Sequence, residues 1–283
     1  MSKNINIYGA IGYSILKNDK HKLLIFSDRH DDLKDCTGPH SEMNDIMETT
    51  SDNKHTNVLL EEVERTQKTE NIHLVFRSNH TSELMKTYIK NQNDIIGVDI
   101  RPYMINYTLS LNNNNNNNMT LYKYFNDIND FYSIKNDLLK TKLKDLYSND
   151  KLKNNKLGTH FMYIKQICIN FINKNIDNLH KPIDQVLTND VNITEEISDI
   201  LSDIMEWYIC AILFKTQDEP ALIHVGLAHS TKIIDYLSNF YGYKILKESG
   251  ITHMKNLDES NNNGCLLVDK SILEELQTFS KKY

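Results

Sequence analysis

Two histidines lead the chemistry available to this chain. His30 closes the run Leu23-Leu24-Ile25-Phe26-Ser27-Asp28-Arg29-His30, and His229 closes Leu222-Ile223-His224-Val225-Gly226-Leu227-Ala228-His229. Each imidazole follows an apolar run by a short turn. With an unperturbed pKa of about 6.5, an imidazole exchanges protons near neutral pH and also ligates metals. A pair of them can divide the roles of general base and general acid. Acids and a guanidinium stand at matching places. Val58-Leu59-Leu60 runs into Glu61-Glu62, and Ile95-Ile96-Gly97-Val98 runs into Asp99-Ile100-Arg101. Glu61 or Glu62 can orient a histidine, act as a base or ligate a metal. Alternation along a strand sends one of the two to each face. Asp99 and Arg101, two residues apart, either pair with each other or hold a substrate anion, for which a planar guanidinium is suited. Gly226 allows a sharp turn or close approach to a ligand. Asp28, His30 and His229 form a candidate set for a divalent metal, and Asp28-x-His30-x-Asp32 has metal-ligand spacing. His224 lies inside an apolar run and reads as a buried structural histidine.

Positioning these groups requires buried strands. Continuous apolar runs of this length suit a parallel sheet covered on both faces. In open α/β sheets the carboxyl edge of the strands is where ligands bind. The pattern therefore predicts an α/β fold with a mostly parallel central sheet flanked by helices. Strands are expected at 5–8, 13–16, 22–27, 57–63, 72–77, 95–100, 221–226, 243–246 and 265–268. Helices are expected from Ser41 to Thr49 with Ser41 as the cap, from Thr81 to Lys90, after a cap at Ser230 or Thr231, and from Ser271 to Phe279. Between about 119 and 215 a 3.6-residue period replaces the strand signals. Phe161, Ile164, Cys168, Phe171 and Ile172 form one stripe. Ile197, Ile200, Leu201, Ile204, Met205, Tyr208, Ile209 and Ile212 form another, with Thr194 as its expected cap. This stretch reads as a helical insertion packed over the sheet within a single domain spanning 1–283. The run Asn112 to Asn118 has no apolar side chain to bury and reads as a loop expansion.

Bulk properties narrow the function. The chain has 283 residues and a net charge of -6, without the basic footprint of a nucleic-acid binder. Cys36, Cys168, Cys210 and Cys265 are scattered, a spacing that suits reduced thiols in a cytosol-like compartment. The first residues hold no signal-like apolar core, and no apolar run reaches a membrane span, so a cytoplasmic protein is expected. There is no G-x-S-x-G, P-loop, G-x-G-x-x-G or H-E-x-x-H. Ser27 and Ser230 neighbour the histidines but sit on no nucleophile turn.

At these residues the chain resembles the superfamily that includes erythromycin esterase, ChaN and the TraB/Tiki proteins. That superfamily has a histidine motif after an early strand, a glutamate after the next and a late G-x-x-H. Ser27-Asp28-Arg29-His30, Glu61 or Glu62, and Gly226-Leu227-Ala228-His229 occupy those places, with Arg101 where a polar residue completes the set. Ser27 stands where glycine is usual. The opening S-D-x-H, the cysteine that follows (Cys36) and the glutamate at a strand end are also similar to proteins of large DNA viruses. The resemblance implies a hydrolase of an ester or peptide, with a small-molecule or peptide substrate and, in some members, a metal ion. Two other readings stand beside it: a non-catalytic virus–host interaction protein that keeps the fold, and an arginase-like dinuclear metal hydrolase using Asp28, His30 and Asp32.

One expectation follows from composition alone. Deleting Asn112 to Asn118 should leave the melting temperature of the protein nearly unchanged, because loop entropy varies slowly with length. Paired thermal melts check this. A loss well beyond about 0.5 kcal/mol would mean that the run is packed.

Overall fold

The computed structural model describes residues 4–52, 55–63, 78–91, 93–102, 119–129, 156–216, 219–258 and 263–278. Asn112–Asn118 and the strand expected at 72–77 lie outside these. The chain forms two compact units. One combines residues 1–99 with 213–283, and the other is 100–212.

The first unit is α/β. Its elements are β1 (Asn4–Tyr8), β2 (Gly12–Lys17), β3 (Lys22–Asp28), β4 (His40–Glu42), α1 (Met43–Ser51), β5 (Asn57–Val63), α2 (Asn79–Lys90) and β6 (Ile95–Asp99). The α/β order resumes with β7 (Ala221–Gly226), α7 (Leu227–Tyr241), β8 (Lys244–Gly250), β9 (Cys265–Asp269) and α8 (Lys270–Thr278). The main sheet has six strands in the order β6-β5-β7-β3-β2-β8. The four from β6 to β3 are mutually parallel, and β2 and β8 add on antiparallel. The expected mostly parallel α/β sheet is therefore what the chain forms. Its apolar runs are fully buried: Leu23, Ile25, Phe26, Val58, Leu59, Leu222, Ile223 and Val225 are all excluded from water. Each such side chain contributes roughly 1.5–3 kcal/mol through burial. A second sheet, β4-β1-β9, is smaller. Ile7, Leu266 and Val268 from it join Tyr13, Phe26, Val58, Leu60 and Leu222 of the main sheet in one core with Met43 and Met47 of α1 and Leu84 and Tyr88 of α2.

Topology sets the site. The strand that is last in sequence among the parallel four, β7, sits between β3 and β5. Asp28 is in register with Gly226, and Leu60 with His224. Three strand ends that are remote in the chain are thereby neighbours in space.

The second unit carries α3 (Leu121–Asn129), α4 (Lys156–Lys174), α5 (Ile183–Asn189) and most of α6 (Val191–Lys215). The stripe on α4 holds as expected at Phe161, Ile164, Cys168 and Phe171, all buried. Phe171 stacks on Phe125 of α3 with centroids 4.4 Å apart, and Phe161 packs against Trp207 of α6. On α6 the burial exceeds a stripe: every residue from Ile200 to Ile212 is buried. Helices enclosed on all sides are interior ones. Burial drives the His160 imidazole of this unit down to about 3, so it is neutral at neutral pH.

Several helix starts differ from expectation, for local reasons. Ser41 belongs to β4, and α1 begins after Glu42 with no side-chain cap. The helix expected from Thr81 begins two residues earlier because Ser78 caps it, accepting from the Thr81 N–H. Asp190, not Thr194, meets the open end of α6: its Oδ1 accepts from the Ile193 N–H at 3.1 Å. Thr194 lies inside the helix and bonds back to the Asp190 carbonyl. After β7 there is no turn at all. Gly226 is the cap of α7, and Ser230 and Thr231 bond back to the Leu227 carbonyl within its first turn.

The cysteine expectation is corrected in part. Cys36 and Cys265 form a disulfide with Cα atoms 5.1 Å apart. A separation of 229 residues leaves no local signature. The bond fastens the segment after β3 to the start of β9. Cys168 and Cys210 are buried free thiols, as expected, and burial pushes Cys168 up to about 11. Among the described residues no helix is long and apolar enough to cross a membrane.

Of the four cysteines, two are free. Thiol titration of denatured, unreduced protein should thus find two thiols, and four after reduction. Replacing Cys36 and Cys265 with serine should destabilise the fold by about 2–5 kcal/mol in denaturant melts, since the closed loop is long. Four thiols before reduction would contradict the bond.

Candidate functional site

The carboxyl ends of β3, β7 and β5 bring one group of side chains together. Glu61, from β5, is the hub. Its carboxylate lies 3.4 Å from Nε2 of His30 through Oε2, and 3.3 Å from Nε2 of His229 through Oε1. Oε2 also accepts the Gly226 N–H at 2.6 Å. The Glu61 side chain is 5% exposed, His229 11% and His30 52%. The hub is therefore dry, and one imidazole stands open to a substrate.

Gly226 is required here for space and not for an unusual backbone angle. A Cβ at this position would lie 2.8 Å from Nε2 of His30 and 3.3 Å from Oε2 of Glu61. Any side chain would push His30 off the carboxylate. Gly226 thus permits close approach, as expected, but the group approached is the protein's own histidine.

Asp28 ends β3 and is fully buried. Its Oδ1 accepts from the Arg29 N–H at 2.6 Å and from Nε2 of His80 at 2.8 Å. Its Oδ2 faces Nδ1 of His30 at 3.2 Å, an ion-pair contact and not an aligned hydrogen bond. His80, on the first turn of α2, is buried and has Nδ1 3.0 Å from Oγ of Ser78. Imidazoles and carboxylates thus alternate from His80 through Asp28, His30 and Glu61 to His229.

Their charges follow from this pairing. Burial alone would push His30 down, but pairing with Asp28 and Glu61 outweighs it and raises the imidazole to about 11. His30 is a cation at neutral pH. Burial would raise Asp28, yet His30 and His80 hold its carboxyl below the usual range. Glu61 is likewise held well below its ordinary value despite burial, first by His229 and then by His30. A dry pocket therefore holds two carboxylates, with an imidazolium between them.

His30, Glu61 and His229 converge as the sequence suggested, and Glu61 is the one of the two glutamates whose carboxylate meets both histidines. Glu62 and Asp99 are buried at the ends of β5 and β6. Arg101 belongs to the second unit and Asp99 to the first. His224 is structural, as expected: it is buried in β7 with Nε2 3.0 Å from the Gly9 carbonyl oxygen, and burial lowers its pKa. Ser27 and Ser230 are buried with Oγ atoms 2.8 Å apart, so neither hydroxyl is presented as a nucleophile.

Among the described residues no group of three or more His, Cys, Asp or Glu is placed to hold a metal ion. Asp28 and Glu61 spend their oxygens on imidazoles and backbone N–H groups, and Asp32 accepts from the Asn79 N–H at 3.3 Å. Ligands turned toward one another do not share a central point. His80 escaped sequence reading. It lies 50 residues from His30, on the first turn of a helix and not at a strand end, and its only signal was the Ser78 cap beside it.

The pairing carries a pH signature. His30 has its folded pKa raised from 6.5 to about 11. Its contribution to stability is therefore complete below about pH 6.5 and is lost as pH rises through about 11. Asp28 and Glu61, lowered from 3.8 and 4.5, have the opposite sign: their contribution is present above those values and is lost as pH falls. Melting temperature should peak between about pH 5 and 6.5 and decline on both sides. His30→Gln should flatten the alkaline decline in melts from pH 6 to 10. An alkaline limb unchanged by that substitution would contradict the pairing.

Comparison of the chain with protein-family models, with curated proteins and with solved structures finds no match in any of the three.

Proposed function

We propose that this cluster is the acid–base centre of a hydrolase that uses water to cleave an ester or peptide bond in a small-molecule or peptide substrate. The observation that carries the reading is Glu61 standing between His30 and His229, within 3.4 Å of each. An interaction module that merely kept the fold has no physical need to bury a carboxylate between two imidazoles. The cost of burying unpaired polar groups disfavours it unless they are used or fully satisfied.

The charges divide the roles. His30, already protonated at neutral pH, serves as the acid and stabilises negative charge on the carbonyl or leaving oxygen. The base is His229, oriented by Oε1 of Glu61. His229 takes a proton from water on Nδ1, the ring nitrogen opposite the one that faces Glu61, the hydroxide adds to the carbonyl carbon, and the Nε2–H of His30, which faces Glu61 at 3.4 Å, passes to the leaving group as its bond to carbon breaks. That leaves His229 protonated and His30 neutral. Glu61, in contact with both Nε2 atoms, is placed to return the proton and reset the pair. Contacts of this length tighten when substrate closes the site.

The test is turnover of a panel of esters, peptides and phosphoesters by the parent, His30→Ala, His229→Ala and the double variant. Each single change should cost roughly 10²–10⁴-fold. The double variant should fall little below either, because the residues act as a unit. Turnover should survive chelation of divalent metals; its loss on chelation would make the histidines ligands instead. Turnover that persists without both histidines but vanishes in Cys36→Ala would sink the assignment.

A further inference from the structure

We infer that Asp28 and His80 are positioning residues of this site, a buried bracket that aims the His30 ring at Glu61. The inference rests on the acid role proposed for His30, and it concerns what sets that ring's direction.

His30 belongs to the segment leaving β3, and half of its side chain is exposed. An exposed side chain at a strand end keeps one rotamer only if something holds it. Asp28 supplies the hold. Oδ1 is fixed from two directions, by the Arg29 N–H at 2.6 Å and by Nε2 of His80 at 2.8 Å. With Oδ1 fixed, the plane of the carboxylate is fixed too. Oδ2 then points at Nδ1 of His30, 3.2 Å away, and is otherwise enclosed without a hydrogen-bond partner. Because Nδ1 and Nε2 lie on opposite sides of the imidazole, a ring held at Nδ1 has its Nε2 direction settled. That direction is Glu61.

His80 is itself braced. Its Nδ1 is 3.0 Å from Oγ of Ser78, the residue that caps α2, so the ring orientation is tied to the start of that helix. The Tyr8 ring of β1 packs edge-on against it, with centroids 6.2 Å apart. The other ionisable groups near the bracket are His224 of β7, Glu61 of β5 and His229 of α7. Neither Asp28 nor His80 needs to touch substrate. The arrangement parallels a carboxylate that orients a catalytic imidazole, with a second imidazole orienting the carboxylate.

Three variants and two readouts test this. Asp28→Asn keeps an oxygen for Arg29 and His80 but turns an NH₂ toward Nδ1 of His30. His80→Gln keeps an N–H donor for Asp28, and His80→Leu removes it. The first readout is nitrogen-detected NMR of the His30 ring, which needs no substrate. In Asp28→Asn its proton affinity should drop at least tenfold. In His80→Leu the His30 ring resonances should broaden as the ring loses its single orientation, and His80→Gln should restore them. The second readout is turnover, where His80→Leu should lower kcat by up to about 10²-fold with little change in KM, again restored by glutamine. An Asp28→Asn variant whose His30 proton affinity equals the parent's would overturn the bracket. So would a folded His80→Gln no better than His80→Leu. If Asp28→Asn does not fold, the two His80 variants decide. A parent inert toward every substrate would count against the hydrolase reading, while the NMR readout would still decide the bracket.

Discussion

Two carboxylates sealed from water at the ends of adjacent buried strands dictate the rest of this site. An ionised carboxylate in a dry environment costs several kcal/mol unless donors compensate it. Asp28 and Glu61 are both in that position, with side chains 0% and 5% exposed. Each is compensated by the same two devices: a backbone N–H at 2.6 Å and two imidazoles. The histidines are therefore coupled to the fold as much as to any reaction. His30 is shared by both carboxylates, which is why its charge is held so firmly and why its neighbours on either side matter to it.

The sheet supplies the rigidity such a cluster needs. β3, β7 and β5 are buried along their length and locked in parallel register, so their ends move little relative to one another. His229 adds a second constraint. Because α7 begins directly at Gly226, the imidazole sits on the first turn of a helix and not on a loop. His30 is the exception, since the segment after β3 is irregular. That segment is tied down at several points: Asp28 at its root, the Asn79 N–H to Asp32, the parallel bridge between Lys34 and Asn263, and the disulfide from Cys36 to Cys265. The smaller β4-β1-β9 sheet has a role in this light. It carries Cys265 and so anchors the far end of the segment that begins with the one open histidine.

Resemblance and geometry address different questions. The spacing of S-D-x-H, glutamate and G-x-x-H raised an expectation of ester or peptide hydrolysis with an optional metal. In the folded chain each carboxylate oxygen of Asp28 and Glu61 is engaged by an N–H or faces an imidazole. The same residue types serve either chemistry, and only their relative orientation separates the two.

The sequence by itself determined the strands of the main sheet together with β1 and β9, most of the described helices and the residues at the strand ends, but not β4, which it read as the start of a helix. Those features are local: a run such as Leu222-Ile223-His224-Val225 must be buried, and a buried run must stop where ionisable residues begin. His30, Glu61 and His229 were legible for that reason, and His224 was legible as structural because it interrupts such a run. Helix starts were read less well at Ser41, Thr194 and Ser230, because the competition among neighbouring capping groups is settled by the path of the backbone. Which of Glu61 and Glu62 faces the histidines, and what Gly226 makes room for, depended on β7 entering between β3 and β5. That insertion is a long-range pairing with no local signature. The same holds for Cys36 with Cys265 and for His80 with Asp28. Periodicity reports how one segment meets water, whereas these pairs join segments that meet only once the whole unit has closed.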